Sequence, residues 1–146
     1  MPKPKYTHMS PYECLLWDEY LYRFQDFYDR FEYDVHVGEG STLPGVTTPE
    51  FLAAGKLLTQ KRIDAVGYRP GEIWIYEVKP DAGLSALGQL LAYRDLYTRQ
   101  FLPGESIHLA LVTDHLSPDD EFLFTKNGIA INRFPEVATR WAREHA

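Results

Sequence analysis

The sequence predicts an α/β fold with a central mixed sheet flanked by helices. Two observations carry this. Residues 62 to 79 read as two largely apolar strands around a Pro70-Gly71 turn, with Ile63, Val66, Ile73, Trp74, Ile75 and Val78 at the apolar positions. Beyond them Leu84, Leu87, Leu91 and Tyr97 recur at helical spacing, and a further strand follows from Ile107 to Thr113. At 146 residues, with 45% apolar and 14% aromatic content, the chain is long enough for one domain with its own core.

The elements follow in order. Residues 1–9 read as a disordered arm and residues 10–146 as a single domain. Ser10-Pro11-Tyr12-Glu13 starts a helix, with Ser at the N-cap, Pro at the first helical position and Glu three residues on for a capping box. That helix is expected to run to about Arg30. Leu16, Tyr20, Phe24, Phe27 and Phe31 mark its buried stripe, and Glu19, Arg23, Asp26 and Arg30 its ion-paired face. A strand is expected from Phe31 to Val37. Residues 38–55 form a Gly/Pro/Thr-rich connection, long enough to suggest a functional loop or lid, with a short helix near 49–54. The hairpin strands span Leu58 to Tyr68 and Glu72 to Lys79, and a helix spans Leu84 to Phe101. After the strand 107–113, Ser117-Pro118 caps a helix ending at Asn127-Gly128. A short strand, 129–131, and a helix from Pro135 to Glu144 complete the chain.

Composition excludes several classes. No run of 18 apolar residues exists, so no membrane-spanning helix is expected, and the basic Met1-Pro2-Lys3-Pro4-Lys5 stretch is followed by no apolar signal core. The single Cys14 rules out an intramolecular disulfide and a cysteine-based zinc site, which fits a reducing cytoplasm. The five His residues (His8, His36, His108, His115, His145) show no ligand spacing and read as surface or core positions. A net charge of −6 argues against generic nucleic-acid binding. The acidity is concentrated in residues 13–34 and 105–121, however. The segment 56–99 is net positive, through Lys56, Lys61, Arg62, Arg69, Lys79, Arg94 and Arg99. Any affinity for DNA would be weak and salt-sensitive.

Asp64, Glu77 and Lys79 are the chemically informative residues. Pairing outward from Pro70-Gly71 sets Arg69 opposite Glu72, Tyr68 opposite Ile73 and Asp64 opposite Glu77. Opposed residues have Cβ atoms about 5 Å apart, and side chains alternate, so Glu77 and Lys79 share a face with Asp64. Two- and four-residue loops keep this pairing; a three- or five-residue loop breaks it. An isolated E-x-K in a strand usually faces water. Here the flanks are apolar, and charges set among apolar residues cost free energy unless paired or ligating. Carboxylate pairs of this kind suit Mg²⁺ or Mn²⁺. Gln89 and Tyr93, four apart on the next helix, share a face that returns towards the strand carrying Glu77 and Lys79.

Asp64…Glu77-x-Lys79 followed by Gln89-x-x-x-Tyr93 resembles the PD-(D/E)xK nuclease superfamily. More narrowly it is similar to the RecB-like and lambda-exonuclease-like branch. The motif block, residues 62–97, covers about a quarter of the chain, and Ile63 stands where the pattern has its Pro. The resemblance implies a restriction-endonuclease-like αβββαβ core and metal-dependent hydrolysis of phosphodiester bonds, most readily of DNA. Asp64, Glu77 and the Val78 carbonyl would hold one or two Mg²⁺ or Mn²⁺ ions. Lys79 would orient or deprotonate the attacking water, and Gln89 and Tyr93 would position the phosphate or Lys79. Arg62, opposite Lys79 in the same register, would contact a phosphate. The first helix of the family often adds an acid. Glu19 lies on the charged face, whereas Glu13 points inward and is open to both a metal and a capping role. A second reading is a catalytically silent member of the fold, serving as a structural or protein-binding module in a phage particle or a defence complex. A third is structure-specific cleavage by a homo-oligomer. The implied setting is the cytoplasm of a bacterial or phage-infected cell.

Overall fold

Ser10 accepts a hydrogen bond from the Glu13 amide while the Glu13 carboxylate accepts from the Ser10 amide, so α1 (Pro11–Phe24) starts on a complete capping box. The computed structural model describes Tyr6 and residues 8–41, 44–45 and 48–146. The elements after α1 are β1 (Arg30–Val37), α2 (Pro49–Thr59), β2 (Lys61–Arg69), β3 (Glu72–Val78), α3 (Leu84–Phe101), β4 (Ser106–Thr113), α4 (Pro118–Lys126), β5 (Ile129–Arg133) and α5 (Pro135–Glu144).

The five strands form one sheet in the order β1-β2-β3-β4-β5. β1, β2 and β3 are antiparallel neighbours, while β4 and β5 join in parallel through the α3 and α4 crossovers. This is the mixed, helix-flanked sheet the sequence predicts. With α2 inserted after β1, the order α1-β1-β2-β3-α3-β4 reproduces the expected αβββαβ core. One face buries Val66, Ile73, Ile75, Leu109 and Leu111 against α3 and α4. The other buries Ala65, Tyr76, Val78 and Val112 against α1 and α5. On that second face the hydroxyls of Tyr20, Tyr28 and Tyr76 bond one another, which satisfies their polar atoms within an aromatic cluster. Among the described residues no helix is long and apolar enough to cross a membrane.

Several expectations need correction. α1 stops at Phe24 rather than Arg30, because residues 25–27 tighten into a 3-10 turn and Tyr28 becomes extended. Phe27 is consequently 60% exposed, and Trp17, which the predicted stripe omits, is fully buried. α2 reaches Thr59 and takes Leu58 out of the predicted strand. On α3 the buried stripe is Ala86, Leu90, Tyr93 and Tyr97. Leu84 is 55% exposed, because the face of the first turn that meets the core is the one carrying Ala86, and Leu87 and Leu91 only flank the core. Of the expected disordered arm, residues 1–5 and 7 lie outside the described residues. Tyr6 and Met9 are not loose: both are buried in the α1-side core, and the Tyr6 hydroxyl bonds Asp18.

β1 changes face at Asp34, whose φ of +53° lies in the left-handed region. Phe31 and Tyr33 pack on the α1 side, whereas Val35 and Val37 pack on the α3 side. Strict alternation would put all four on one face. Across the sheet, Phe31 stands directly opposite Gly67, and a Cβ there would come within 2.8 Å of the Phe31 ring. That ring is fixed by Trp17, Tyr28 and Tyr76 and has nowhere to move. Gly67→Ala should therefore lower stability by roughly 1–3 kcal/mol. The expected readout is a lower urea midpoint at unchanged slope; an unchanged midpoint would show that the aromatic cluster yields.

Candidate active site

The hairpin register is the one the sequence predicts, from Arg69↔Glu72 through Tyr68↔Ile73 to Ala65↔Tyr76. The next pair outward, Asp64 and Glu77, is where the ladder stops. Instead of backbone pairing, the Asp64 Oδ2 accepts the Val78 amide at 2.8 Å. β3 stays tied to β4 beyond this point, through Val78↔Val112 and a 2.9 Å bond from the Lys79 amide to the Val112 carbonyl. β2 thus leaves β3 at Asp64, and β1 changes face beside it at Asp34. The two carboxylates sit where the strands part.

Glu77 is 6% exposed, and its Oε2 has no hydrogen-bond partner. It shares the face of Ile73 and Ile75 and so looks towards α3. Its acidity is pushed up to about 9, first by burial, then by the charge and hydrogen bonding of Asp64. The Tyr93 hydroxyl and the Lys79 charge pull the other way. Without a cation, Glu77 is a protonated acid beside Asp64. Burial and the same two carboxylates push the Tyr93 phenol up, so it remains a donor, while Gln89 hydrogen-bonds Tyr93 from the exposed side. Gln89 and Tyr93 therefore face the site, with Tyr93 reaching Glu77 and Gln89 acting through Tyr93. Lys79 is exposed at the strand end and makes no ion pair among the described residues.

His8 was read from sequence as an arm residue without a role. Its Nε2 lies 3.5 Å from Asp64 Oδ1, is buried and has no hydrogen-bond partner. No sequence spacing could reveal this, because Tyr6 and Met9 fold the segment back onto α1 from outside every periodic element. Asp34 was also missed. It accepts the Nε and Nη2 of Arg62 at 2.6 and 2.8 Å, and this pairing holds its carboxyl below the usual range. Arg62 thus lies across from His36 on β1 and is paired with Asp34, rather than standing free opposite Lys79. Glu13 is the capping-box acid, with Oε1 on the Ser10 amide at 2.9 Å. It does not converge with Asp64 and Glu77 into a metal-binding group among the described residues. Glu19 bridges Arg23 and Arg140 and so links α1 to α5.

Two carboxylates, one with an orphaned buried oxygen, fit a hard cation. Among the described residues no three His, Cys, Asp or Glu side chains form a ready cage. A cation here would draw on Asp64, Glu77 and the Val78 carbonyl, with its remaining positions left to water. Mg²⁺ binds in this manner, through one or two carboxylates while keeping several waters.

No protein-family model and no curated protein match the chain. Two solved structures resemble it. One is a repair endonuclease from Pyrococcus abyssi, 18% identical, TM-score 0.48, covering 81% of this chain and 45% of the other. The second is a protein of unknown function, 17% identical, TM-score 0.51, covering 82% of this chain and 56% of the other. The chain spans about half the length of each. The second likeness concerns the fold alone: a mixed five-stranded sheet with flanking helices.

Glu77 generates a prediction about pH. Its folded value lies above the unfolded carboxyl value, so the folded state holds the proton more tightly. The contribution is full below about pH 4.5 and is lost as pH rises towards about 9. Metal-free protein should therefore lose stability across that window, and Glu77→Gln should flatten the loss and melt higher at pH 8. Equal melting curves for both proteins from pH 5 to 9 would show that Glu77 is ionised and solvated.

Proposed function

We propose that the chain is a Mg²⁺- or Mn²⁺-dependent nuclease that hydrolyses phosphodiester bonds, with DNA as its first substrate. The observation that carries this reading is the buried, partnerless Glu77 oxygen facing Asp64 at the end of a strand that also delivers Lys79. Asp64, Glu77 and the Val78 carbonyl would hold the ion, which would lower the pKa of a water and offset charge on the phosphate. Lys79, exposed and without an ion pair among the described residues, would orient or deprotonate the attacking water and offset negative charge developing on the phosphate. Tyr93 holds Glu77 as a carboxylate by donating to it, and Gln89 fixes the phenol. His8, adjoining Asp64, fixes the carboxylate from the other side. Arg62, held by Asp34, presents its remaining N–H groups to a phosphate beside the site.

The resemblance to the RecB-like branch supports this reading through Gln89 and Tyr93, whose helix face meets Glu77. Binding to DNA is weak and salt-sensitive on an acidic protein, and assembly as a homo-oligomer or within a larger complex fits a chain of this length. The setting proposed is a bacterial or phage-infected cytoplasm, where the buried Cys14 would remain a thiol. One observation favours the silent-module reading: α2 buries none of its residues and exposes Phe51, Leu57 and Leu58. Such a face suits a protein partner.

Two measurements separate the readings. Saturating Mn²⁺ should raise the melting temperature by mass action, and Asp64→Asn should abolish the rise. An unchanged melting temperature with wild-type protein would remove the metal site. Lys79→Ala should leave the fold intact and reduce Mg²⁺-dependent cleavage of DNA by roughly 100-fold or more, as expected when a charge-stabilising group is lost. Wild-type protein that cuts no single-stranded, double-stranded or branched DNA with either metal would leave the module reading.

A further inference from the structure

Most basic side chains of the molecule are engaged. Arg23, Arg30, Arg62, Arg69, Arg94, Arg133 and Arg140 are in ion pairs, and Lys126 lies over the Phe122 ring. Among the described residues, those left without an ion pair or ring contact are Lys56, Lys61, Lys79, Arg99 and Arg143. Four of these five lie on α2, on β2, just past the end of β3, and on α3. Lys79 belongs to the site. Lys56, Lys61 and Arg99 line two adjoining hollows of about 280 and 310 Å³ between the end of β1, α2 and the C-terminal half of α3.

The hollows connect to the site through rigid elements. Lys61 precedes Asp64 by three residues on β2, roughly 10 Å of strand. Arg99 follows Tyr93 by six residues on α3, roughly 9 Å of helix. The apolar side of the cleft is closed by Val37 and Leu96, which also pack in the α3-side core. Gly40, at φ +70°, lets the backbone pass against α2, since a Cβ there would lie 2.6 Å from the Lys56 carbonyl. Glu39 is the single carboxylate on the wall and pairs with none of the three cations. On a protein of net charge −6, three cations without ion-pair partners among the described residues, gathered in one cleft, suit an external anion.

We propose that this cleft is a phosphate track for one polynucleotide strand, leading from the metal site outward between α2 and α3. Lys61 and Arg99 take the first phosphates beyond the reacting bond, and Lys56 takes the next. The nature of the anion rests on the nuclease reading; the cleft and its unpaired cations do not.

The test is fluorescence anisotropy of a labelled oligothymidylate with the full chain in EDTA, so that no cleavage occurs. Wild-type protein should bind with an affinity that falls with salt. Lys61→Glu/Arg99→Glu should weaken binding about 10-fold or more and make the salt dependence shallower by about 1.4, twice the roughly 0.7 expected per phosphate contact on a single strand. Lys126→Glu/Arg143→Glu, an equal change of charge elsewhere, should weaken it far less. All four positions are exposed, and thermal melting checks that each variant folds. Equal weakening by both pairs, or no binding by wild-type protein, would overturn the track. Binding through the cleft without cleavage in Mg²⁺ or Mn²⁺ would sink the nuclease reading alone. Cleavage with oligonucleotide binding indifferent to Lys61 and Arg99 would sink the track alone.

Discussion

The structure is organised around one costly contact, a carboxylate buried beside another carboxylate. Glu77 can be accommodated as a neutral acid or against a cation, since two adjacent buried charges of one sign cannot both persist unaided. Its surroundings are built to keep it in place in either state. β3 remains bonded to β4 through Lys79, so the strand bearing Glu77 cannot fray when β2 departs. Asp64 takes up the Val78 amide that the missing ladder would leave unpaired. α3 covers the opening with Tyr93. The face change of β1 at Asp34 lets β2 turn away without exposing Val35 and Val37, which repack against α3. Each arrangement costs regular structure at one end of the hairpin and keeps the acid dry.

The parts legible in sequence were those fixed by local rules. The Pro70-Gly71 turn set the register because a two-residue loop permits one pairing, and Gly71 adopts the φ of +75° that glycine tolerates. The starts of α1 and α4 follow from Ser10 and Ser117, whose side chains take up orphan amides, and that of α5 from Pro135, whose preset φ suits the first helical position. The stripe on α3 was misread because Leu outranks Tyr and Ala as an apolar marker, whereas depth depends on where the helix crosses the sheet. Ala86 and Tyr93 lie over it and Leu84 does not. His8 and Asp34 were invisible for a different reason. His8 reaches Asp64 through tertiary folding of an aperiodic segment, and Asp34 reaches Arg62 through a backbone reversal that no L-residue advertises. Arg62 was misplaced as a direct consequence, since its partner depends on that reversal.

Charge is distributed with the same economy. Most of the arginines are neutralised internally: Glu19, Glu136, Asp34, Glu72 and Glu121 all hold them. Surface pairs of this kind add little stability, but they remove cations from the pool available to an anionic ligand. What remains unpaired is therefore more informative than the net charge. A field set by a few cations without ion pairs acts locally, over about a Debye length of 8 Å at physiological salt. On the proposed function such a field would steer a polyanion at close range while the acidic body disfavours indiscriminate adsorption.

α3 joins these two features in a single rigid element. Its middle places Tyr93 on Glu77, and its last turns place Leu96 and Arg99 at the cleft. The helix is anchored along Ala86, Leu90, Tyr93 and Tyr97, and its C-terminal half is held to β1 by Gln100, which accepts the Gly38 amide at 2.9 Å. Because the helix has a fixed rise and its buried face is fully packed, the distance from the acid to the cleft cannot be adjusted by side-chain motion alone. On the proposed track, substrate register would be set by the helix rather than by the flexible ends of lysines and arginines. Repositioning the strand relative to the carboxylates would require moving α3 as a whole, at the expense of the larger of the two cores.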